Sequence, residues 1–272
     1  MQIAKWLPWI FTANRWGPRR FGAMRTVFAL ILREMATTYG KSPGGYLWAV
    51  LEPVAGIALL TFVFALAFQQ PPLGTNFPLF YAGGYLVFMM YLNVSNKLTV
   101  AIRFSKPLLF YPAVRFTDAV LARFVLNWMT EVLVLIIVIS GILVFWSLRP
   151  GFDIPAMVLG ILMAAVLALG VGVLNCFLVS VFPIWERIWA IVNRPLFIIS
   201  TLFFLFETVP HPYDNLLWFN PLVHVVGQMR LGMYPTYAGD FVSPIYVCGL
   251  GLGCLALGLL FLNRYYRDII NS

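Results

Sequence analysis

The apolar run at residues 154–182 reads IPAMVLGILMAAVLALGVGVLNCFLVSVF and contains no Asp, Glu, Lys or Arg. A helix needs about 20 apolar residues to cross a hydrocarbon core about 30 Å thick, so this run is long enough to span a membrane. Five further runs are also long enough, at residues 47–68, 79–100, 120–146, 188–207 and 242–262. The sequence therefore predicts an all-α integral membrane protein with six transmembrane helices.

The composition of the whole chain agrees with this prediction. Of its 272 residues, 61% are hydrophobic and only 10% are charged, whereas a soluble domain has about 25% charged residues. The run at 188–207 is the weakest of the six because Arg194 and Pro195 interrupt it.

The basic residues indicate how the chain is oriented. If it crosses the membrane six times, all of the 18 Lys and Arg residues except Arg149 and Arg230 lie on one side. The positive-inside rule then places both termini in the cytoplasm. We expect a cytoplasmic segment at 1–46, a six-helix transmembrane domain at 47–263 and a cytoplasmic tail at 264–272. Pro8 breaks the first apolar patch, so no cleaved signal peptide is expected.

Two segments outside the six runs have patterns of their own. Residues 21–39 place apolar side chains on one face at helical spacing, which predicts an amphipathic helix lying in the cytoplasmic membrane interface. Residues 208–241 alternate apolar pieces with Pro and Gly, so they are too apolar for a free loop and too broken for a span. This pattern favours short re-entrant helices buried in protein.

The chain lacks several motifs of nucleotide binding and of catalysis. G-x-x-x-x-G-K-[ST], H-E-x-x-H and S-x-x-K are all missing. The three cysteines lie in apolar runs without C-x-x-C spacing, which indicates small buried side chains. We therefore predict no enzyme, and no metal or cofactor in this chain. The net charge of +8 is explained by membrane topology and does not indicate a nucleic-acid partner.

Two acidic residues fall inside predicted spans, where each ionised group costs about 2.5–3.5 kcal/mol on insertion scales. Glu131 is expected to face the interior and to pair with a neighbour such as Asn127, although a proton relay stays open. Glu52 precedes Pro53 near the cytoplasmic end of the first span. An opened helix there would place its carboxylate at an entrance, and helix packing is the alternative.

Three motifs resemble one family. They are TTYGKSPGGYLWAVLEP at 37–53, LLFYPAVRFTDAVLAR at 108–123 and FNPLVHVV at 219–226. In this order, between six spans, they are similar to the permeases of capsular-polysaccharide ABC exporters of Gram-negative bacteria. The resemblance implies an inner-membrane homodimer with two copies of a separate ATPase subunit, which binds ATP and Mg²⁺. It also implies a lipid-linked, usually acidic polysaccharide as cargo, and a periplasmic adaptor and an outer-membrane channel as partners.

The resemblance also suggests where the functional residues lie. The first and fifth spans would line the path at the dimer seam, and the loop at 103–115 would contact the ATPase. Candidates for the substrate path and its entrance are Arg33, Tyr39, Lys41, Trp48, Glu52, Phe204 and His224. Candidates for coupling to the ATPase are Arg103, Phe104, Lys106, Pro107 and Arg115. Basic side chains at the entrance would attract an anionic lipid linker or acidic sugars.

Three alternatives remain open at this stage. An ABC permease for O-antigen, teichoic acid or a small lipophilic solute would have a similar architecture. A proton-driven transporter would need an inverted repeat and buried midplane acids, and we find no repeat. A membrane glycosyltransferase would need a carboxylate pair or a metal site, and the sequence has no D-x-D motif.

Overall fold

The computed structural model describes residues 22–38, 44–109 and 114–271. Every regular element in these ranges is a helix. The α-helices are α1 (Gly22–Thr38), α2 (Gly45–Ala67), α3 (Phe77–Thr99), α4 (Ala101–Leu109), α5 (Phe116–Phe145), α6 (Ile154–Val181), α7 (Ile184–Ile199), α8 (Tyr213–Trp218), α9 (Pro221–Met233) and α10 (Pro244–Asn271). A single 3₁₀ turn at Phe206–Thr208 lies between α7 and α8.

Five helical stretches in the described ranges are long and apolar enough to cross a membrane. They are Leu47–Ala67, Phe77–Leu109, Phe116–Phe145, Ile154–Val181 and Pro244–Tyr266. Each coincides with one of the six apolar runs of the sequence. The all-helical, multi-span architecture is therefore confirmed for these five.

The run at 188–207, predicted as a transmembrane helix, does not form one continuous helix of that length. Helix α7 has 16 residues, which is about 24 Å at 1.5 Å per residue and shorter than a hydrocarbon core. It ends at Ile199, and two residues later Thr201 has a φ of 57°, a left-handed conformation in which a β-branched residue cannot continue a helix. The sixth crossing is not confirmed and stays a prediction.

Three helices begin with the same kind of N-cap. Asn76, Asp153 and Asn220 each accept a hydrogen bond from a backbone N–H of the first turn, at 3.0, 3.2 and 3.1 Å respectively. A proline follows within two residues in each case. Its missing N–H is not needed in a first turn, and its fixed φ suits a helix start. The sequence alone therefore specifies where α3, α6 and α9 begin.

The centre of the protein is a close-packed block of α3, α6, α9 and α10. Helix α6 packs against the other three, and glycines bring two of the backbones together. A Cβ on Gly170 of α6 would overlap the carbonyl oxygen of Gly251 in α10, and a Cβ on Gly258 would lie 2.7 Å from the backbone nitrogen of Leu174. Small residues at such crossings allow van der Waals contact where lipid provides no hydrophobic driving force.

Enlarging this crossing should destabilise the block. Gly170→Val is expected to cost about 1–3 kcal/mol or more, because the new side chain meets backbone that cannot move aside. The measurement is the melting temperature of the purified protein in detergent. Gly249→Val in α10 is the matched control, since a Cβ there meets nothing within 4 Å. Equal losses in both variants would contradict the packing argument.

The two segments outside the six apolar runs are largely helical. Helix α1 exposes an apolar stripe of Met24, Phe28, Leu32 and Met35, while its other side packs on α5. The segment at 208–241 contains α8 and α9, and α9 is almost wholly buried. The placement of α1 in a membrane interface and the re-entrant course of α8 and α9 remain predictions.

Candidate functional site

A cleft of about 310 Å³ opens between α2, α3 and α5. It brings Trp48 and Glu52, both predicted for the entrance, together with Glu131. Trp48 is 61% exposed at its rim. We call this space the polar cleft. Its lining residues come from one face of each helix and are Gly45, Trp48, Ala49, Glu52 and Pro53 of α2, Tyr85, Met89, Asn93 and Lys97 of α3, and Asn127 and Glu131 of α5.

The hydrogen bonds in the polar cleft correct one expectation. Glu131 Oε1 accepts a hydrogen bond of 2.9 Å from Asn93 Nδ2, on a different helix. Asn127 instead donates its Nδ2 to the carbonyl oxygen of Arg123 at 2.7 Å. The predicted pairing of Glu131 with Asn127 was therefore wrong. An Asn side chain reaches the carbonyl one turn back on its own helix, whereas the partner of Glu131 is fixed by helix packing.

A second space in the described structure is an apolar groove. The groove lies between α2 and α5 and has a volume of about 770 Å³. On α5 the lining changes from Asn127 and Glu131 to Val138 and Ile142 at helical spacing, so both spaces share one face of that helix. We call this second space the apolar groove. On α2 the two linings lie on opposite sides of the helix, because Glu52 and Val54 point about 200° apart.

The residues predicted for coupling lie on α4 and at the start of α5. Arg103 Nη1 donates to Glu186 Oε2 at 3.0 Å, and both side chains are about half exposed. This contact joins α4 to α7. Pro107 and Arg115 are exposed, and Lys106 is partly buried. The backbone N–H of Arg115 donates to the carboxylate of Asp118 at 3.2 Å, which closes the first turn of α5.

A buried ion pair between Glu34 and Arg123 lies next to α4, and it was not predicted from the sequence. Arg123 Nε donates to Glu34 Oε1 at 2.7 Å, and the two side chains are only 5% and 7% exposed. The Arg123 guanidinium carbon lies 4.2 Å from the ring centroid of Phe104. Arg33 approaches the same ring at 5.9 Å, so it lies beside α4 and does not line the polar cleft. Glu34, Arg123 and Phe104 thus connect α1, α5 and α4.

Two predicted path residues lie elsewhere. His224 is fully buried; its Nδ1 accepts from the Ser243 backbone N–H at 3.1 Å, so its Nε2 carries the proton and donates to the Trp218 carbonyl at 2.8 Å. Phe204 is half-buried, and its carbonyl accepts from Arg230. Neither residue lines the polar cleft. Their role in the path stays a prediction, and Tyr39 and Lys41 lie outside the described residues.

Arg230 stabilises the irregular backbone that follows α7. This side chain of α9 is 1% exposed. Its Nη1 donates to the carbonyl of Phe204 at 3.0 Å, and its Nη2 donates to the carbonyls of Thr201 and Leu202 at 2.6 and 3.3 Å. Its guanidinium carbon lies 4.6 Å from the ring centroid of Phe80. Arg230 therefore satisfies carbonyls that a continuous helix would have paired internally.

The sequence profile of the ABC-2 type transporter family matches residues 25–234, which include most of α1 and all of α2 to α9. The chain belongs to this family. Among curated relatives, the polysialic acid transport protein KpsM of Escherichia coli is 32% identical over 250 residues, covering 91% of this chain and 96% of the relative. The capsule polysaccharide export inner-membrane protein CtrC of Neisseria meningitidis serogroup A is 26% identical, covering 90% of this chain and 92% of the relative.

A third relative extends the agreement within the ABC-2 family. The capsule polysaccharide export inner-membrane protein BexB of Haemophilus influenzae is 24% identical to this chain, with coverage of 90% and 92% of the two chains. Family membership makes the ABC-2 protein a transporter component and agrees with its several membrane-length helices.

Proposed function

We propose that this ABC-2 family protein is the permease subunit of an exporter that moves capsular polysaccharide across the inner membrane. The observation that supports this most directly is end-to-end similarity to proteins named for polysialic acid transport and capsule export. Polysaccharide needs such a permease because each unpaired polar group costs roughly 2–7 kcal/mol in hydrocarbon. A separate ATPase subunit, which binds ATP and Mg²⁺, drives the transport.

Six crossings with both termini in the cytoplasm account best for the charge pattern. Helix α7 and the irregular residues after it form the additional crossing, and α8 and α9 return as re-entrant helices. Irregular backbone is tolerated at membrane depth where protein satisfies its polar groups. The three carbonyls bound by Arg230 meet that condition. Five crossings would place the tail and the loop after α4 on opposite sides.

The polymer path lies at the seam of a homodimer, between α2 and α7. Helix α7 has no fully buried residue within Ile184–Ile199, and α2 exposes Leu59, Phe62 and Leu66. Large exposed apolar faces on two neighbouring spans are available for a second copy. Arg33, Tyr39, Lys41, Trp48 and Glu52 lie at the cytoplasmic entrance, and Phe204 and His224 lie towards the exit.

Helix α1 lies in the cytoplasmic membrane interface in this proposal, and its exposed apolar stripe supports this position. Its residues Met24, Phe28 and Leu32 are 70%, 62% and 51% exposed, although Glu34 on the opposite side is buried against Arg123. A helix that docks on protein by one face and exposes an apolar stripe on the other fits the boundary between headgroups and acyl chains.

The cargo is a lipid-linked acidic polysaccharide, and basic side chains near the entrance attract its anionic groups. Beyond the permease, a periplasmic adaptor and an outer-membrane channel continue the route. The test is deletion of the gene in its encapsulated host. We expect polysaccharide to disappear from the surface, accumulate inside the cell and return to the surface on complementation. Normal surface capsule with an altered lipopolysaccharide ladder would identify an O-antigen permease instead.

Residues 103–115, on α4 and up to the start of α5, form the contact to the ATPase subunit. Changing Arg103 and Arg115 to Glu reverses two exposed charges on this surface, and we expect loss of ATP hydrolysis coupled to transport with normal membrane insertion. The measurement is substrate-dependent ATPase activity of the complex in vesicles. Glu186→Gln is the control, because it breaks the Arg103 salt bridge without changing the charge of α4. Unaltered coupling in the double variant would count against this assignment.

A further inference from the structure

The polar cleft contains charged groups of both signs that the described residues pair incompletely. No hydrogen bond or salt bridge joins the carboxylate of Glu52 to another described residue. Glu131 has one hydrogen bond, from Asn93, although a carboxylate accepts about four. The ammonium of Lys97, in the last turn of α3, is likewise unpaired within the described ranges. At membrane depth such groups need water or a ligand to complete them.

Two largely buried side chains also present unpaired polar atoms to the polar cleft. Asn127 is 6% exposed and Tyr85 is 7% exposed. The amide nitrogen of Asn127 donates to the carbonyl of Arg123, which leaves its Oδ1 without a described donor. No described residue hydrogen-bonds to the Tyr85 hydroxyl, which lies against Gly56, one turn along α2 from Glu52. The unpaired groups therefore extend from the rim of the cleft into its depth.

These unpaired groups define the chemistry of the ligand. The carboxylates of Glu52 and Glu131 and the Oδ1 of Asn127 need donors, whereas the Lys97 ammonium needs acceptors. A hydroxyl both donates and accepts, so a ligand with several hydroxyls satisfies both sets. A carboxylate ligand only accepts, and it would meet two like charges against one opposite charge. A cationic amine only donates and would leave the ammonium unpaired. The cleft is therefore complementary to an uncharged molecule rich in hydroxyls.

The size of the polar cleft and its rim limit the ligand further. Its volume of about 310 Å³ is at the lower end of the range of small-molecule sites, about 300–1,000 Å³. The cleft therefore takes a small unit and not a length of polymer. At the rim, Trp48 is exposed and offers an apolar ring face, which can pack on the C–H face of a sugar ring.

We propose that the polar cleft binds one uncharged sugar unit of the exported polysaccharide. Its hydroxyls bond to Glu52, Glu131 and Lys97, and its ring packs on Trp48. This inference rests on the proposed function and deepens it, because it names the part of the cargo that enters the cleft. Acidic units of the polymer are excluded from the cleft, since its carboxylates outnumber its ammonium group.

The test measures sugar binding by saturation-transfer NMR, with the full-length protein in lipid nanodiscs free of glycoside detergent. The probes are methyl glucoside and methyl galactoside, each compared with the corresponding methyl uronide, which differs by one carboxylate. We expect the better neutral glycoside to bind about tenfold more tightly than its uronide, because the added carboxylate meets excess negative charge. The double variant Glu52→Gln and Glu131→Gln makes the cleft net positive and should reverse this preference. Asp240→Asn, an exposed acid outside the cleft, should keep it.

Several outcomes would overturn the proposal. Equal affinity of wild type for neutral and acidic glycosides is one, and an unchanged preference in the double variant is another. Binding of neither class would leave water as the occupant of the cleft. If the double variant does not fold, the comparison on wild-type protein decides alone. Loss of capsule in the deletion strain without any sugar preference of the protein would refute only the sugar site. Normal capsule with an intact preference would refute only the proposed function and leave a sugar-binding cleft.

Discussion

Arg230→Leu is expected to remove most of the folded protein from the membrane. The change strips hydrogen bonds from the carbonyls of Thr201, Leu202 and Phe204 in a buried environment. Each orphaned buried polar group costs about 1–3 kcal/mol, and the total stability of a domain is only about 5–15 kcal/mol. The loss of these bonds therefore removes a large part of the free energy of unfolding.

The measurement is the amount of monodisperse protein extracted from membranes, together with its melting temperature. Arg149→Leu removes an exposed arginine that the proposed six-span topology puts on the same side of the membrane as Arg230, and it should have little effect. Arg230→Lys keeps the charge but not the planar fork that reaches several carbonyls, so an intermediate result is expected. A melting temperature equal to wild type in Arg230→Leu would refute the role assigned to Arg230.

Arg123→Gln should have the second large effect, on both stability and coupling. It leaves the Glu34 carboxylate buried without its ion-pair partner, and breaking a buried pair in this way costs about 3–5 kcal/mol. It also removes the cation from the face of Phe104, at 4.2 Å. Since α1 packs mainly on α5, we expect α1 to detach and ATP hydrolysis to continue without transport.

A double-mutant cycle separates the coupling energy of the Glu34–Arg123 pair from the effects of the two single changes. Glu34→Gln with Arg123→Gln removes both charges and should be more stable than Arg123→Gln alone. The exposed pair of Arg103 and Glu186 provides the comparison for stability, because exposed pairs contribute about 0–1 kcal/mol. If the two cycles gave equal coupling energies, burial of the Glu34–Arg123 pair would not matter as argued.

The positions of most spans follow from local information. Five apolar runs coincide with membrane-length helices because length and hydropathy are properties of the segment itself. The end of α7 does not follow in this way. It depends on the backbone at Thr201 and on an arginine in α9 that donates hydrogen bonds to three carbonyls. The sequence placed Arg230 on the outward side but gave no indication that it acts inside the protein.

The contacts of the candidate site could likewise be predicted from the sequence only in part. Trp48 and Glu52 were selected from one motif and do line a common cleft. The partner of Glu131 was sought one turn away and lies on α3 instead. The Glu34–Arg123 pair joins residues far apart in sequence, so no periodicity indicates it. An arginine inside the predicted span at 120–146 was the available signal, because such a group needs a partner.

The glycine crossing of α6 and α10 also has a mechanical consequence. A push on α4 produces useful motion only if part of the protein resists it and another part gives way. The close-packed block of α3, α6, α9 and α10 resists deformation, since close-packed interiors have low compressibility. Helices α2 and α7 bury little of their surface. They are therefore the helices that can move. Force applied at one end would therefore widen the protein sideways along these two helices and leave its centre undeformed.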